Sequence, residues 1–283
     1  MPELPEVETV VRDLRPLLVD RHFVAVGRTS SAELRRPYND AWTAELIDRR
    51  IQAVQRRGKW IVLELDNASF LVVHLGMTGQ LTVVRPEEPL ASHTHLIFAL
   101  DDGQQLRYRD IRRFGSVTWH TNATALEQFF AEVGLGPEPF GVDADYWRQT
   151  LAGTTRLIKA VLLDQTVIAG VGNIYADEAL HQARLHPKRR ACELTSAEAN
   201  RLRKAVEQVL TRAIERRGST IRNYVGGSGL AGGYQAEFRV YGRGGEPCTR
   251  CKTPLTVLRV AGRSSHFCPR CQPAEPRSAD EKV

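Results

Sequence analysis

Near the start of the chain Val7, Val10, Val11, Leu14, Leu17 and Leu18 recur at i, i+3, i+4 and i+7, the spacing of one face of an amphipathic helix. Pro5 near its beginning and Glu6 and Glu8 in its first turn suit a helix N-terminus, where a missing N–H costs nothing and acidic charge complements the dipole. Across residues 23–119 the pattern changes to short β-type runs, among them 60–65, 70–75, 81–84, 95–100 and 116–119. Turn signals such as Asp66-Asn67 and Asp101-Asp102-Gly103 separate them, which predicts an antiparallel sandwich or barrel.

After Ala123 the signals are helical as far as Arg217. Gly136-Pro137-Glu138-Pro139 interrupts them and marks the boundary between a first domain over 1–135 and a second over 136–236. The sharpest helix starts at Thr195, whose hydroxyl forms a capping box with Glu198. Leu202, Val206, Val209, Leu210, Ala213 and Ile214 share its apolar face, and Gly218 ends it. Residues 218–236 hold six glycines without apolar periodicity and read as a long functional loop. Over 237–272 short strands are expected to flank two cysteine pairs, and 273–283 form a polar tail. The fold class is therefore α+β.

Composition narrows this little: 42% hydrophobic and 25% charged residues in 283 exclude a disordered or fibrous chain. No apolar run approaches the roughly 18 residues of a membrane span, and the start is acidic where a signal peptide is basic, so a cytoplasmic protein with no membrane partner is expected. Charge adds more. Residues 150–272 carry 20 Lys and Arg against 9 Asp and Glu, a net of +11, whereas residues 1–149 carry 17 against 21, a net of −4. A solvated basic face accounts for such an excess, and so does a polyanion partner.

The cysteines are more specific. Cys248-x2-Cys251 and Cys268-x2-Cys271, sixteen residues apart, have the spacing of two knuckles closing one tetrahedral zinc site. Disulfides are the weaker reading in a reducing compartment. Cys192 stands alone as a plain thiol.

Pro2-Glu3-Leu4-Pro5-Glu6-Val7-Glu8, Gly58-Lys59, His74-Leu-Gly-Met77, Asp110-Ile-Arg112-Arg-Phe114-Gly, Gly170-Val-Gly-Asn173-Ile-Tyr-Ala-Asp-Glu178 and the terminal knuckles with Arg263 between them occur in this order over nearly the whole chain. In these motifs the chain resembles the formamidopyrimidine-DNA glycosylase family. The resemblance implies an N-terminal helix on a β-sandwich, a helix-two-turn-helix domain, a zinc ribbon over 237–272 with one structural zinc, and double-stranded DNA as partner. It also implies a nucleoid-associated monomer.

With Met1 removed, Pro2 becomes a secondary amine, a nucleophile able to attack the sugar C1′ of a damaged nucleotide and form a Schiff-base-type intermediate. Glu3 beside it is placed to move protons as general acid and base. Lys59 is assigned to the active site by the resemblance; Ala53 and Trp60 stand where a phosphate-binding Walker loop needs Gly and Ser or Thr, so ATP is not implied. An enzyme acting on a base in duplex DNA must extrude it and fill the gap. Met77, Arg112 and Phe114 match the family's filling residues, with Arg112 facing the widowed cytosine. Thr78 and Ile111 are small departures from the family pattern.

Further DNA contacts implied by the resemblance are His74, Arg109, Asn173, Tyr241 and Arg263. For Asn173 the sequence adds a reason, since a helix start following Gly170-Val-Gly172 presents N–H groups to a phosphate. The expected activity is removal of oxidised purines, 8-oxoguanine and formamidopyrimidines, followed by β,δ-elimination at the abasic site. The loop over 218–236 is expected to fold over the everted base. An oxidised-pyrimidine glycosylase of the same superfamily and a zinc-dependent DNA-binding protein without catalysis are the alternatives.

Overall fold

A computed structural model describes residues 1–29, 33–36, 38–219 and 232–274. The glycine-rich loop therefore lies mostly outside the described residues, and so does the tail beyond 274. The chain divides into two compact units, Met1–Gly134 with Ile214–Gln235, and Leu135–Ala213 with Ala236–Val283.

The first unit begins with helix α1 (Leu4–Leu18), capped by Glu3 in a reciprocal capping box with Glu6. Val7, Val10, Val11, Leu14 and Leu18 are buried, but Leu17 is 37% exposed, against the sequence expectation. At about 100° per residue Leu18 returns to within roughly 20° of Val7, while Leu17 falls about 80° to the other side.

Eight antiparallel strands follow. β1 (Phe23–Arg28), β6 (Thr94–Leu100), β7 (Gln105–Asp110) and β5 (Gly79–Val84) form one sheet in that order. The other sheet has the order β2 (Ile51–Arg57), β3 (Trp60–Leu65), β4 (Phe70–His74) and β8 (Ser116–His120). Ile61, Leu63, Leu71 and Val73 from one sheet and Leu81, Leu96, Phe98 and Leu106 from the other join the face of α1 in one core. α1 packs chiefly on β2, with lesser contact to β3 and β5. α2 (Ala123–Glu132) closes this unit, its N-terminus capped by the Asn122 side chain.

The second unit holds α3 (Ala144–Ala152), α4 (Ile158–Leu163), α5 (Asn173–Ala183) and most of α6 (Ser196–Glu215). The capping box of α6 forms as expected: Thr195 Oγ1 accepts the Glu198 N–H at 3.2 Å, and Glu198 Oε2 accepts the Thr195 N–H at 2.9 Å. The helix stops three residues before Gly218, which has φ +70°.

Among the described residues after 237 the strands β9 (Thr256–Val260) and β10 (Arg263–Phe267) form an antiparallel hairpin between the two cysteine pairs, so that each pair is flanked by one strand as expected. The apolar core of this ribbon is small, consisting of Val240, Cys248, Leu255 and Cys268, with Cys251 and Cys271 packed against it. Polar anchors to α5 add to this core. Glu178 accepts the N–H groups of Arg239, Val240 and Tyr241 at 2.9–3.1 Å, and Asp177 accepts that of His266 at 2.9 Å.

Candidate active site and nucleic-acid interface

In the first unit the sequence motifs gather at the start of α1 and at the turns of the sandwich. Pro2 and Glu3 are buried just before α1, Glu3 being 4% exposed. Glu6 organises this start: Oε2 accepts the Glu3 N–H at 2.9 Å, while Oε1 accepts the N–H and the hydroxyl of Ser219 at 2.8 and 3.1 Å. Its carboxylate thus joins the first turn of α1 to the beginning of the glycine-rich segment. Sequence reasoning gave Glu6 only a dipole role.

Lys59 occupies the β2–β3 turn, where Gly58 takes φ +57°, and is 5% exposed. Arg56 ties this turn to α1, donating to Glu8 Oε2 at 2.9 Å and to Gly58 O at 3.1 Å. His74 pairs with Trp60 across β3 and β4, the rings 4.5 Å apart. Burial, then the charges of Lys59, Arg35 and Arg36, lower its pKa to about 4. Its Nδ1 accepts the Gly76 N–H at 3.1 Å, so the neutral ring carries its proton on Nε2 and offers a donor there.

Met77 is 38% exposed and Phe114 44%, so neither belongs to the core. Arg112 lies over the Phe114 ring, 4.5 Å from its centre. An apolar residue, a cation and an aromatic ring therefore stand exposed on two neighbouring connections. Arg109 is already engaged, donating to Ser92 O at 2.8 Å and Gln80 Oε1 at 3.1 Å, so a phosphate there competes with both.

In the second unit Gly172 is the N-cap of α5 and Asn173 opens the helix. Asn173 Nδ2 donates to Ser264 O at 3.1 Å, which pins the helix start to β10. Arg263 begins β10 directly after the Ala261-Gly262 turn, opposite Val260, and is exposed. Tyr241 sits among rings, 5.5 Å from Phe238 and 5.0 Å from His266.

Lys159 was not singled out in the sequence because it interrupts an apolar run. It is fully buried, with Nζ 2.7 Å from Asp177 Oδ1 and from Ser265 Oγ, and 2.8 Å from Ser264 O. The only signal available was a lone lysine between Ile158 and Ala160.

The four cysteine sulfurs lie within 4.8 Å of one another, with Cys251 and Cys268 at 3.4 Å and Cys248 and Cys271 at 4.0 Å. Four sulfurs about 2.3 Å from a tetrahedral zinc are about 3.8 Å apart, so the set fits one ion. Four thiolates leave no open position for water, and the zinc is structural.

Comparison with known proteins agrees with this architecture. The formamidopyrimidine-DNA glycosylase N-terminal domain matches residues 1–117, the H2TH domain of the same proteins residues 135–225, and a zinc finger found in FPG and IleRS residues 245–274. The formamidopyrimidine-DNA glycosylase of Herpetosiphon aurantiacus is 48% identical, covering 96% of this chain and all of the relative; that of Heliobacterium modesticaldum is 46% identical with the same coverage. The Lactococcus lactis Fpg in complex with abasic-site DNA superposes with a TM-score of 0.89 at 35% identity, covering 96% of this chain and 99% of that one. A complex of the same protein with Fapy-dG DNA gives 0.88 at 34%, covering 96% and all of that chain.

A sandwich capped by an N-terminal helix, a helix-two-turn-helix unit and a four-cysteine ribbon define a zinc-bearing DNA glycosylase of base excision repair. The chain belongs to the formamidopyrimidine-DNA glycosylase family. Among the described residues no helix is long and apolar enough to cross a membrane.

Proposed function

We propose that this protein excises oxidised purines, 8-oxoguanine and formamidopyrimidines, from double-stranded DNA and then cleaves the abasic site. It does so as a cytoplasmic, nucleoid-associated monomer. The observation that carries the reading is the exposure of Met77 and Phe114 around Arg112, because large apolar side chains held in solvent beside a guanidinium suit insertion into a base stack.

Once Met1 is removed, the Pro2 nitrogen lone pair bonds C1′ and the C1′–N9 bond breaks, its electron pair leaving with the base, which takes up a proton. The new ammonium loses its proton. Glu3 protonates O4′ as the sugar ring opens, giving an iminium between C1′ and Pro2. Loss of a C2′ proton then expels the 3′ phosphate, and a second elimination expels the 5′ phosphate. Hydrolysis of the remaining C1′=N bond frees Pro2. Lys59 holds phosphate and lesion, His74 donates from Nε2 to a phosphate, and Arg112 bonds the widowed base. Arg109, Asn173, Tyr241 and Arg263 grip the backbone, for which the exposed Arg263 is the supporting feature.

Borohydride reduction tests this. Wild-type protein should become irreversibly linked to an 8-oxoguanine duplex, and Pro2→Gly should be trapped far less. Undiminished trapping through an internal lysine would overturn the assignment.

A further inference from the structure

Met77 lies in the connection from β4 to β5, and Arg112 and Phe114 lie in that from β7 to β8. Each connection crosses from one sheet to the other, and the two run side by side, because Gly79 pairs with Asp110 at one end and His74 with Ser116 at the other. Their backbones touch. A Cβ on Gly76, whose φ is +59°, would lie 2.5 Å from Gly115 N and Phe114 C, and one on Gly115 would strike the Tyr108 hydroxyl and His74 O.

One carboxylate and one hydroxyl lock this contact. Asp110 is fully buried, and both its oxygens are used. Oδ1 accepts the Thr78 hydroxyl at 2.6 Å and, at 3.3 Å, the Arg112 N–H; Oδ2 accepts the Gly115 N–H at 2.8 Å and the Tyr108 hydroxyl at 3.4 Å. Thr78 Oγ1 in turn accepts the Arg112 N–H at 2.9 Å. The residue after Met77 thus holds the backbone of Arg112, and Asp110 holds the backbone next to Phe114. Between these two anchors Arg113 sits at φ +56°, a conformation a side chain disfavours and that a loose loop would abandon.

We propose that the Thr78–Asp110 clasp fixes the spacing of the Met77 and Arg112–Phe114 loops, which makes Thr78 a positioning residue for base extrusion and for reading the opposite base. The proposal rests on the function given above. Three side chains that must enter one gap together gain from a shared rigid base, since each loop moving alone would arrive out of register. The hydroxyl carries the effect because it alone both donates to Asp110 and accepts from Arg112, and serine supplies the same two bonds. The departure at position 78 is therefore a part of the loop device.

Thr78→Val, nearly isosteric but without the hydroxyl, and Thr78→Ser test it. Excision from duplexes with 8-oxoguanine opposite cytosine or adenine reads loop alignment, while borohydride trapping on a single-stranded abasic oligonucleotide needs neither a stack to open nor an opposite base. Thr78→Val should excise from the cytosine duplex about tenfold more slowly and narrow the preference for cytosine about threefold, with single-strand trapping unchanged; Thr78→Ser should stay within about twofold of wild type throughout. Wild-type preference in Thr78→Val, or its loss in Thr78→Ser, overturns the clasp. Failure of wild type itself to trap would instead sink the proposed function. Amide exchange on the DNA-free wild type needs no variant: the Arg112 and Gly115 amides should exchange at least about a hundredfold more slowly than in an unstructured peptide. Exchange at peptide rates overturns the clasp even if every variant unfolds.

Discussion

His74 loses its charge at physiological pH for reasons local to one side chain. Burial and the cations Lys59, Arg35 and Arg36 hold its pKa near 4, against about 6.5 when unfolded. The unfolded chain therefore takes up this proton first as pH falls, so the contribution to stability is fully present above about pH 6.5 and is lost progressively toward pH 4. Urea unfolding of wild type and His74→Gln across this window should differ by of order 2 kcal/mol, with the variant less dependent on pH. Parallel pH profiles would remove His74 as the source. At this scale the sequence was legible where chemistry is tied to a motif, as at the four cysteines, whose spacing announced the cluster that the fold assembles. It was silent where burial creates the role: Lys159 and Asp177 form a buried pair, and Asp110 gathers four donors, yet nothing in the order of residues marks a carboxylate that will lose its water. Met77 and Phe114 show the converse, since their large apolar side chains stand exposed and their composition alone does not announce it.

Secondary-structure elements were legible where local rules act without competition. The Thr195 capping box and the largely apolar strands β3 and β4 follow from side-chain spacing alone. β7 is harder to read because Gln105-Leu-Arg-Tyr-Arg-Asp110 turns charged side chains to one face and has no apolar run. The ribbon, by contrast, was legible: paired cysteine knuckles with a short segment between them specify one metal site closed by a hairpin. Because four thiolates supply the coordination, Cys248→Ser should lose the single zinc, measured by metal analysis, and with it DNA binding. The effect should exceed that of a surface substitution such as Cys192→Ser. A Cys248→Ser protein free of zinc that still binds DNA tightly would contradict a structural metal.

At the scale of the molecule the charge is divided, with a net of +11 over residues 150–272 and −4 over 1–149. Backbone neutralisation releases counterions, so affinity for undamaged duplex should fall steeply with salt, roughly a thousandfold between 50 and 200 mM if about six phosphates are contacted. Affinity flat across that range, measured by fluorescence anisotropy, would mean the basic segment is only a solvated face. The small core of the ribbon has a different bearing, on the order in which the chain assembles. So small an apolar cluster cannot hold such a segment together alone, and its polar anchors, Asp177 and Glu178, are presented together when α5 is wound. The expected order is helices first, as a template onto which the ribbon anneals, with the metal closing it last. A newly made chain short of zinc would stall one step from completion, its helical part finished and its ribbon open to proteases.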